Sequence, residues 1–142
     1  MTQIDFYFHV ENKMQTACAL SAKAYARGLR VLTLCASPEA SQHYSRMLWS
    51  VPAISFIPHC SASDSLAAVT PVIVDHEGST PPHDEVLINL CPQMPAFFSR
   101  FQRLVEIVSI DEQDRENARA RYKFYRDRGY DIKNHDLSKS AQ

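Results

Sequence analysis

The residues of this chain best suited to binding chemistry are cations concentrated in one predicted helix near the C-terminus. Six of the 15 Lys and Arg residues lie between Arg115 and Arg128, and only Glu116 and Asp127 oppose them. The segment from Arg115 to Arg128 therefore carries a net charge of +4, although the whole chain carries −1 at pH 7. Five of the six cations are arginines, whose planar guanidinium groups suit bidentate contacts with carboxylate or phosphate. The segment predicts a site for an anion: a nucleic-acid backbone, a phosphate or an acidic peptide.

Helical spacing divides this segment into a packing face and a cationic face. The positions predicted to pack share one stripe, consisting of Ala118, Tyr122, Tyr125 and Gly129. The cationic neighbours at i+3 and i+4 steps are Arg115, Arg119 and Lys123, with Tyr122 at the border between the two faces. A solvated amphipathic helix is the alternative interpretation, since long cationic side chains often cover a core while their charged groups stay in water. Repulsion between like charges at i,i+4 favours a compensating anion.

The rest of the chain alternates predicted strands and helices. Apolar, β-branched and aromatic runs predict strands at residues 5–10, 30–36, 71–75, 85–90 and 103–108. Helical spacing and capping residues predict helices at 14–27, 37–49 and 111–129, and a short helix within 92–101. This order predicts one α/β domain over residues 1–130, Rossmann-like, with a mostly parallel sheet flanked by helices. Residues 131–142 are predicted to be a flexible polar tail, which makes 103–108 the last strand.

Nucleotide-dependent catalysis is disfavoured by the scarcity of glycine. The chain has three glycines, and the turn after the first predicted strand, residues 10–14, contains none. Neither the Rossmann fingerprint nor a P-loop is therefore present to hold phosphates. The best group of metal-ligating residues is Asp75, His76 and Glu77 with His83, in a Pro- and Gly-containing loop where polar residues need no special role. We expect no catalytic residues, no metal and no cofactor.

The cysteines and the hydropathy predict a cytoplasmic protein. The four cysteines form no CxxC pair and lie in apolar contexts, which is typical of buried reduced thiols. No apolar run reaches the length of a membrane helix, and the first residues lack the pattern of a signal peptide. We therefore expect no membrane association.

Two long strings resemble one known family. The first runs from Leu48 to His59 and reads LWSVPAISFIPH, and the second runs from Ala120 to Tyr130 and reads ARYKFYRDRGY. Both are similar to the chi subunit of bacterial DNA polymerase III, and the resemblance spans about residues 4–130. It implies a Rossmann-like fold that binds no nucleotide, in a non-catalytic accessory subunit of the clamp-loader assembly.

The resemblance also implies partners and the residues that contact them. Chi pairs with the psi subunit and binds the acidic C-terminal tail of single-stranded DNA-binding protein, so that DNA is contacted only indirectly. Carried onto this chain, the tail-binding residues are Arg115, Arg119, Tyr122 and Lys123. The residues implied at the psi interface are Trp49 and Phe56, for which core packing is the alternative role. A rival function is direct binding of single-stranded nucleic acid by the same basic helix and its tyrosines.

Overall fold

The chain forms a single seven-stranded sheet with helices on both faces, as seen in a computed structural model. The structure describes residues 1–50, 58–61, 64, 66, 70–76 and 83–140, without the side chains of residues 49, 50, 139 and 140. The strands are β1 (Gln3–Val10), β2 (Val31–Leu34), β3 (His59–Cys60), β4 (Val72–Asp75), β5 (Val86–Asn89), β6 (Arg103–Ser109) and β7 (Ile132–Asp136). The helices are α1 (Lys13–Ala26), α2 (Pro38–Ser50), α3 (Glu112–Asp127) and the short α4 (Leu137–Ser140).

All neighbouring strands are parallel, in the order β3-β4-β2-β5-β6-β1-β7. Every residue of β2, β4 and β5 is buried, as expected for strands covered on both faces. In β6, Val105 and Ile107 pack with α1 and α2, whereas Leu104 and Val108 pack on the α3 side. The predicted α/β fold class is confirmed.

The predicted helix ends are confirmed by their capping contacts. The Ser37 hydroxyl accepts a hydrogen bond from the Ala40 amide at 3.1 Å at the start of α2. The Asp111 carboxylate accepts one from the Asp114 amide at 3.0 Å at the start of α3. After α3 the chain turns through Gly129 at φ +81°, a conformation that glycine adopts without steric cost.

Two predicted elements differ from the structure. The short helix expected within 92–101 is only a single 3₁₀ turn, Phe98–Arg100. The strand at Arg103–Ser109 is not the last, because β7 adds a parallel strand beside β1. The sheet therefore continues past residue 130, the predicted end of the domain, and part of the predicted polar tail is an edge strand.

Contacts to β1 explain how such a polar strand pairs. His135 Nε2 lies 3.1 Å from Oδ1 of the fully buried Asp5, and its ring stacks on Tyr7 with centroids 4.4 Å apart. Asp5 also accepts a hydrogen bond from Arg103 Nε at 2.6 Å. Because the contact of Asp5 with His135 is polar and joins residues 130 positions apart, the apolar alternation used to find strands does not reveal it.

Helix α3 is held on the sheet by the fully buried carboxylate of Glu106 in β6. Tyr125 donates a hydrogen bond from its hydroxyl to Oε2 at 2.6 Å, and Asn89 donates from Nδ2 to Oε1 at 3.0 Å. Arg121 Nε lies 3.2 Å from Oε1, and Arg121 Nη1 donates to the Pro92 carbonyl at 2.7 Å. Burial raises the pKa of Glu106, and the three partners oppose that shift. Arg121 is therefore an internal ion-pair partner of Glu106, on the side of α3 that also carries Tyr125.

Two further features of the fold are the burial of the cysteine thiols and the limited hydropathy of the helices. All four cysteines are free; Cys18 and Cys35 are buried as predicted, whereas Cys60 and Cys91 are only partly buried. Burial raises the pKa of Cys18 to about 11 and that of Cys35 to about 12, so both stay protonated at neutral pH. Among the described residues, no helix is long and apolar enough to cross a membrane.

The Glu106 network leads to a stability prediction. Glu106→Gln leaves the buried Arg121 charge without a counter-ion, so we expect the free energy of unfolding to fall by about 3–5 kcal/mol in urea denaturation. Glu116→Gln, an exposed change on α3, should stay within about 0.5 kcal/mol of the wild type. Adding Arg121→Met to Glu106→Gln should recover part of the loss, because no unpaired charge is then buried. A change below about 1 kcal/mol for Glu106→Gln would contradict this role.

Candidate anion-binding site

All four residues implied in tail binding line one cavity. The cavity has a volume of about 420 Å³ and lies between α3 and the C-terminal ends of β1 and β6. This size is within the range of pockets that bind small ligands. The residues that line it are Phe8, His9, Val108, Ser109, Arg115, Ala118, Arg119, Tyr122, Lys123 and Arg126.

The rim of the cavity is cationic. Arg115, Arg119, Lys123 and Arg126 are all exposed, and they follow one another along α3 at spacings of three or four residues. None of the described lining residues is acidic. Arg126 was not among the predicted site residues, although it lies three positions after Lys123 and seven after Arg119. Helical spacing alone could have identified it.

The floor of the cavity is apolar and rigidly supported. Tyr122 is half-buried, with its ring centroid 5.0 Å from that of Phe6 and 6.4 Å from that of Phe8. Its hydroxyl accepts a hydrogen bond from Asn134 Nδ2 in β7 at 3.3 Å. Residues of β1 thus hold the Tyr122 ring in place, and a residue of β7 holds its hydroxyl group. An apolar floor beside a cationic rim suits a ligand that carries a hydrophobic group next to carboxylates.

Asp114 fixes the first turn of α3 at the edge of the cavity. Its Oδ2 accepts a hydrogen bond from the amide of Ser109, a lining residue, at 2.8 Å. Its Oδ1 accepts one from Lys13 Nζ in α1 at 3.0 Å. Burial alone would raise the pKa of Asp114, but the Ser109 amide and the Lys13 ammonium outweigh it and hold the pKa below its usual range. Asp114 thereby joins α1, β6 and α3.

Other residues considered in the sequence are not among the described residues that line this cavity. Arg128 is exposed at the end of α3, with its guanidinium carbon 4.1 Å from the centroid of the Phe124 ring, and it does not line the cavity. Phe56 and the side chain of Trp49 fall outside the described residues, so their predicted role at an interface stays a prediction. Within the described ranges, no group of three or more His, Cys, Asp or Glu side chains is arranged to hold a metal ion.

Comparison with known proteins identifies close similarity to one family over most of the chain. The family model described as DNA polymerase III chi subunit, HolC, matches residues 1–133. A DNA polymerase III subunit chi of Pseudomonas aeruginosa is 33% identical over 141 residues, covering 96% of this chain and 98% of the relative. The subunit chi of Haemophilus influenzae is 29% identical, covering 89% and 92%. That of Escherichia coli is also 29% identical, covering 83% and 81%.

The contacts of Asp114 predict a pH-dependent contribution to stability. Asp114→Asn should lower the free energy of unfolding at neutral pH by about 1.5–3 kcal/mol, the size of a hydrogen bond to a charged group. Since the pKa of Asp114 is lower in the folded than in the unfolded state, its ionised form stabilises the fold above about pH 4, and this contribution is lost as the pH falls further.

The measurement is urea denaturation of wild type and variant at neutral pH and near pH 3. The difference between the two proteins should shrink on acidification. Glu112→Gln, an exposed change in the same turn, should show a small difference at both pH values. A difference for Asp114→Asn that is equal or larger at the lower pH would contradict the assignment.

Proposed function

Because the chain belongs to the DNA polymerase III chi subunit family, we propose that it is a non-catalytic accessory subunit that holds the acidic C-terminal tail of single-stranded DNA-binding protein in the cavity beside α3. One observation carries this proposal. The four residues that the family resemblance assigns to the tail line a single cavity, and its other described lining residues add a further cation and apolar surface. The cavity therefore offers what a peptide ending in acidic residues and a terminal Phe requires.

The two chemical parts of such a tail match the two parts of the cavity. The terminal Phe ring would lie on the apolar floor against Tyr122 and Phe8, which already pack with each other. Arg119 and Lys123 flank Tyr122 on α3 and would bind the terminal carboxylate and the nearest Asp side chain. Arg115 and Arg126 extend the cationic rim to either side, where further acidic residues of the tail would lie.

The expected affinity follows from these contacts. Two charge-assisted hydrogen bonds contribute roughly 1.5–3 kcal/mol each, and burial of one Phe ring contributes a similar amount. The ordering of a flexible tail and its loss of free motion cost several kcal/mol. A dissociation constant of about micromolar or weaker, rising with salt, is therefore expected.

The psi subunit is proposed as a second partner, through the apolar string that contains Trp49 and Phe56. Support for this partner comes from the family membership and from the LWSVPAISFIPH string alone. In this proposal the two partners bind different parts of the chain, since the string runs from Leu48 in α2 to His59 in β3, whereas the cavity is built from β1, β6 and α3. The subunit would then link the clamp loader to the protein that coats single-stranded DNA.

A peptide titration tests tail binding against direct nucleic-acid binding. A peptide ending in Asp-Asp-Ile-Pro-Phe should bind by calorimetry, and its C-terminally amidated form should bind about tenfold more weakly or worse, because one charge-assisted contact is lost. Oligo-dT is the competing ligand and should bind more weakly than the acid peptide. If amidation has no effect, or if oligo-dT binds more tightly than the peptide, the proposal is wrong.

Matched substitutions on α3 locate the binding site. Lys123→Ala should weaken binding of the acid peptide by roughly tenfold to a hundredfold, the equivalent of a charge-assisted hydrogen bond. Arg128→Ala removes the same charge just after the end of α3, outside the cavity, and should change affinity by less than about twofold. Thermal unfolding should show that both exposed changes leave stability nearly unchanged. Equal losses of affinity for the two variants would indicate a general charge effect and would exclude the cavity as the site.

A further inference from the structure

His9 occupies an irregular position near the end of β1. Its backbone φ is +59°, in the left-handed region that residues other than glycine rarely adopt, and the register of β1 against β6 shifts between Tyr7 and Val10. A regular strand points successive side chains to opposite faces. Here Phe8 and His9 both line the cavity on the α3 face, whereas Val10 packs with Tyr7 on the opposite face. The irregularity therefore turns His9 toward the cavity, as strand bulges beside functional sites often do.

Asp136, the last residue of β7, orients the His9 imidazole. Its Oδ1 accepts hydrogen bonds from the Ser138 hydroxyl at 2.7 Å, the Ser138 amide at 3.0 Å and His9 Nδ1 at 2.7 Å. The Ser138 hydroxyl first and His9 second lower the pKa of Asp136 to about 2, so Asp136 is a carboxylate at neutral pH. A carboxylate can only accept, so His9 Nδ1 carries the hydrogen and a neutral ring has its lone pair on Nε2. Only a protonated ring can donate from Nε2.

We propose that His9 is a fifth anion-binding group of the cavity, whose protonated imidazole donates from Nε2 to a carboxylate of the bound acidic peptide. This inference rests on the proposed function and extends it to a residue outside the two family strings. Among the described residues, none makes a hydrogen bond with Nε2, so that nitrogen is available to a ligand. His9 is exposed, and its side chain is 48% accessible, so a peptide in the cavity can reach it.

The charges around His9 couple its protonation to peptide binding. The described charged groups that face it are Asp136 from β7 and, from α3, Arg115, Arg119, Lys123 and Arg126, while β6 lines the cavity with uncharged residues only. In the empty cavity the four α3 cations oppose a fifth positive charge. A bound acidic peptide cancels that opposition, and Asp136 favours the charge throughout. Binding should therefore take up a proton in the pH range where imidazole titrates.

The test compares wild type with His9→Asn, because Asn tolerates the left-handed backbone and carries no charge. Calorimetric titration with the acidic peptide at about pH 8 and about pH 5.5 spans the titration of imidazole. Lowering the pH should raise the peptide affinity of both proteins. The increase for the wild type should be about threefold to fivefold larger than that for His9→Asn, which is the contribution of a partly exposed ion pair. Near neutral pH, calorimetry in buffers of different ionisation enthalpy should show that the wild type takes up protons when the peptide binds. His9→Asn should take up few.

The possible outcomes separate this inference from the proposed function. If the wild type binds the peptide and His9→Asn has the same pH dependence, the role of His9 is wrong while tail binding stands. If the wild type binds the peptide at neither pH, both proposals are wrong. Asp136→Asn removes the carboxylate partner of His9 and should reduce the gain at low pH. If that variant keeps the full gain, Asp136 has no part in positioning the charge.

Discussion

The buried carboxylate of Glu106 is the constraint on which the site depends. A charge in the interior must be paired and hydrogen-bonded, and here Arg121 and Tyr125 of α3 supply two of its three partners. Since these residues are one helical turn apart, the contacts fix both the position of α3 on the sheet and its rotation about its own axis. That rotation places the opposite residues of the helix along the cavity, so the geometry of the cationic rim follows from an ion pair beneath it.

The same helix thus uses its arginines in two different ways. Arg121 is 4% exposed and neutralises an internal charge, whereas the four cations of the rim repel one another across the mouth of the cavity. Such repulsion is a cost in the free protein and is relieved only when an anion binds. Because the chain as a whole has a net charge of −1, the positive potential is local to this cavity.

The edge strand β7 supports the site from the other side. Its Asn134 donates a hydrogen bond to the Tyr122 hydroxyl, and its Asp136 accepts a hydrogen bond from His9. The strand is attached to β1 by pairing and by the contact of His135 with Asp5, and its polar residues leave a sheet edge unsuited to further strand pairing. A segment with little hydrophobic character of its own therefore orders two of the residues that line the cavity.

Local patterns in the sequence determined much of this protein. Apolar runs and capping residues marked the central strands and the three long helices, the missing glycines excluded the common phosphate-binding loops, and i+3 and i+4 spacing grouped Arg115, Arg119, Tyr122 and Lys123 on one face. Tertiary structure decided what periodicity could not: Arg121 turns inward to Glu106, His9 changes face, and residues 132–136 join the sheet. The physical reason is that each of these outcomes depends on contacts between residues distant in sequence, such as Asp5 with His135, whereas hydropathy and propensity report only on neighbours along the chain.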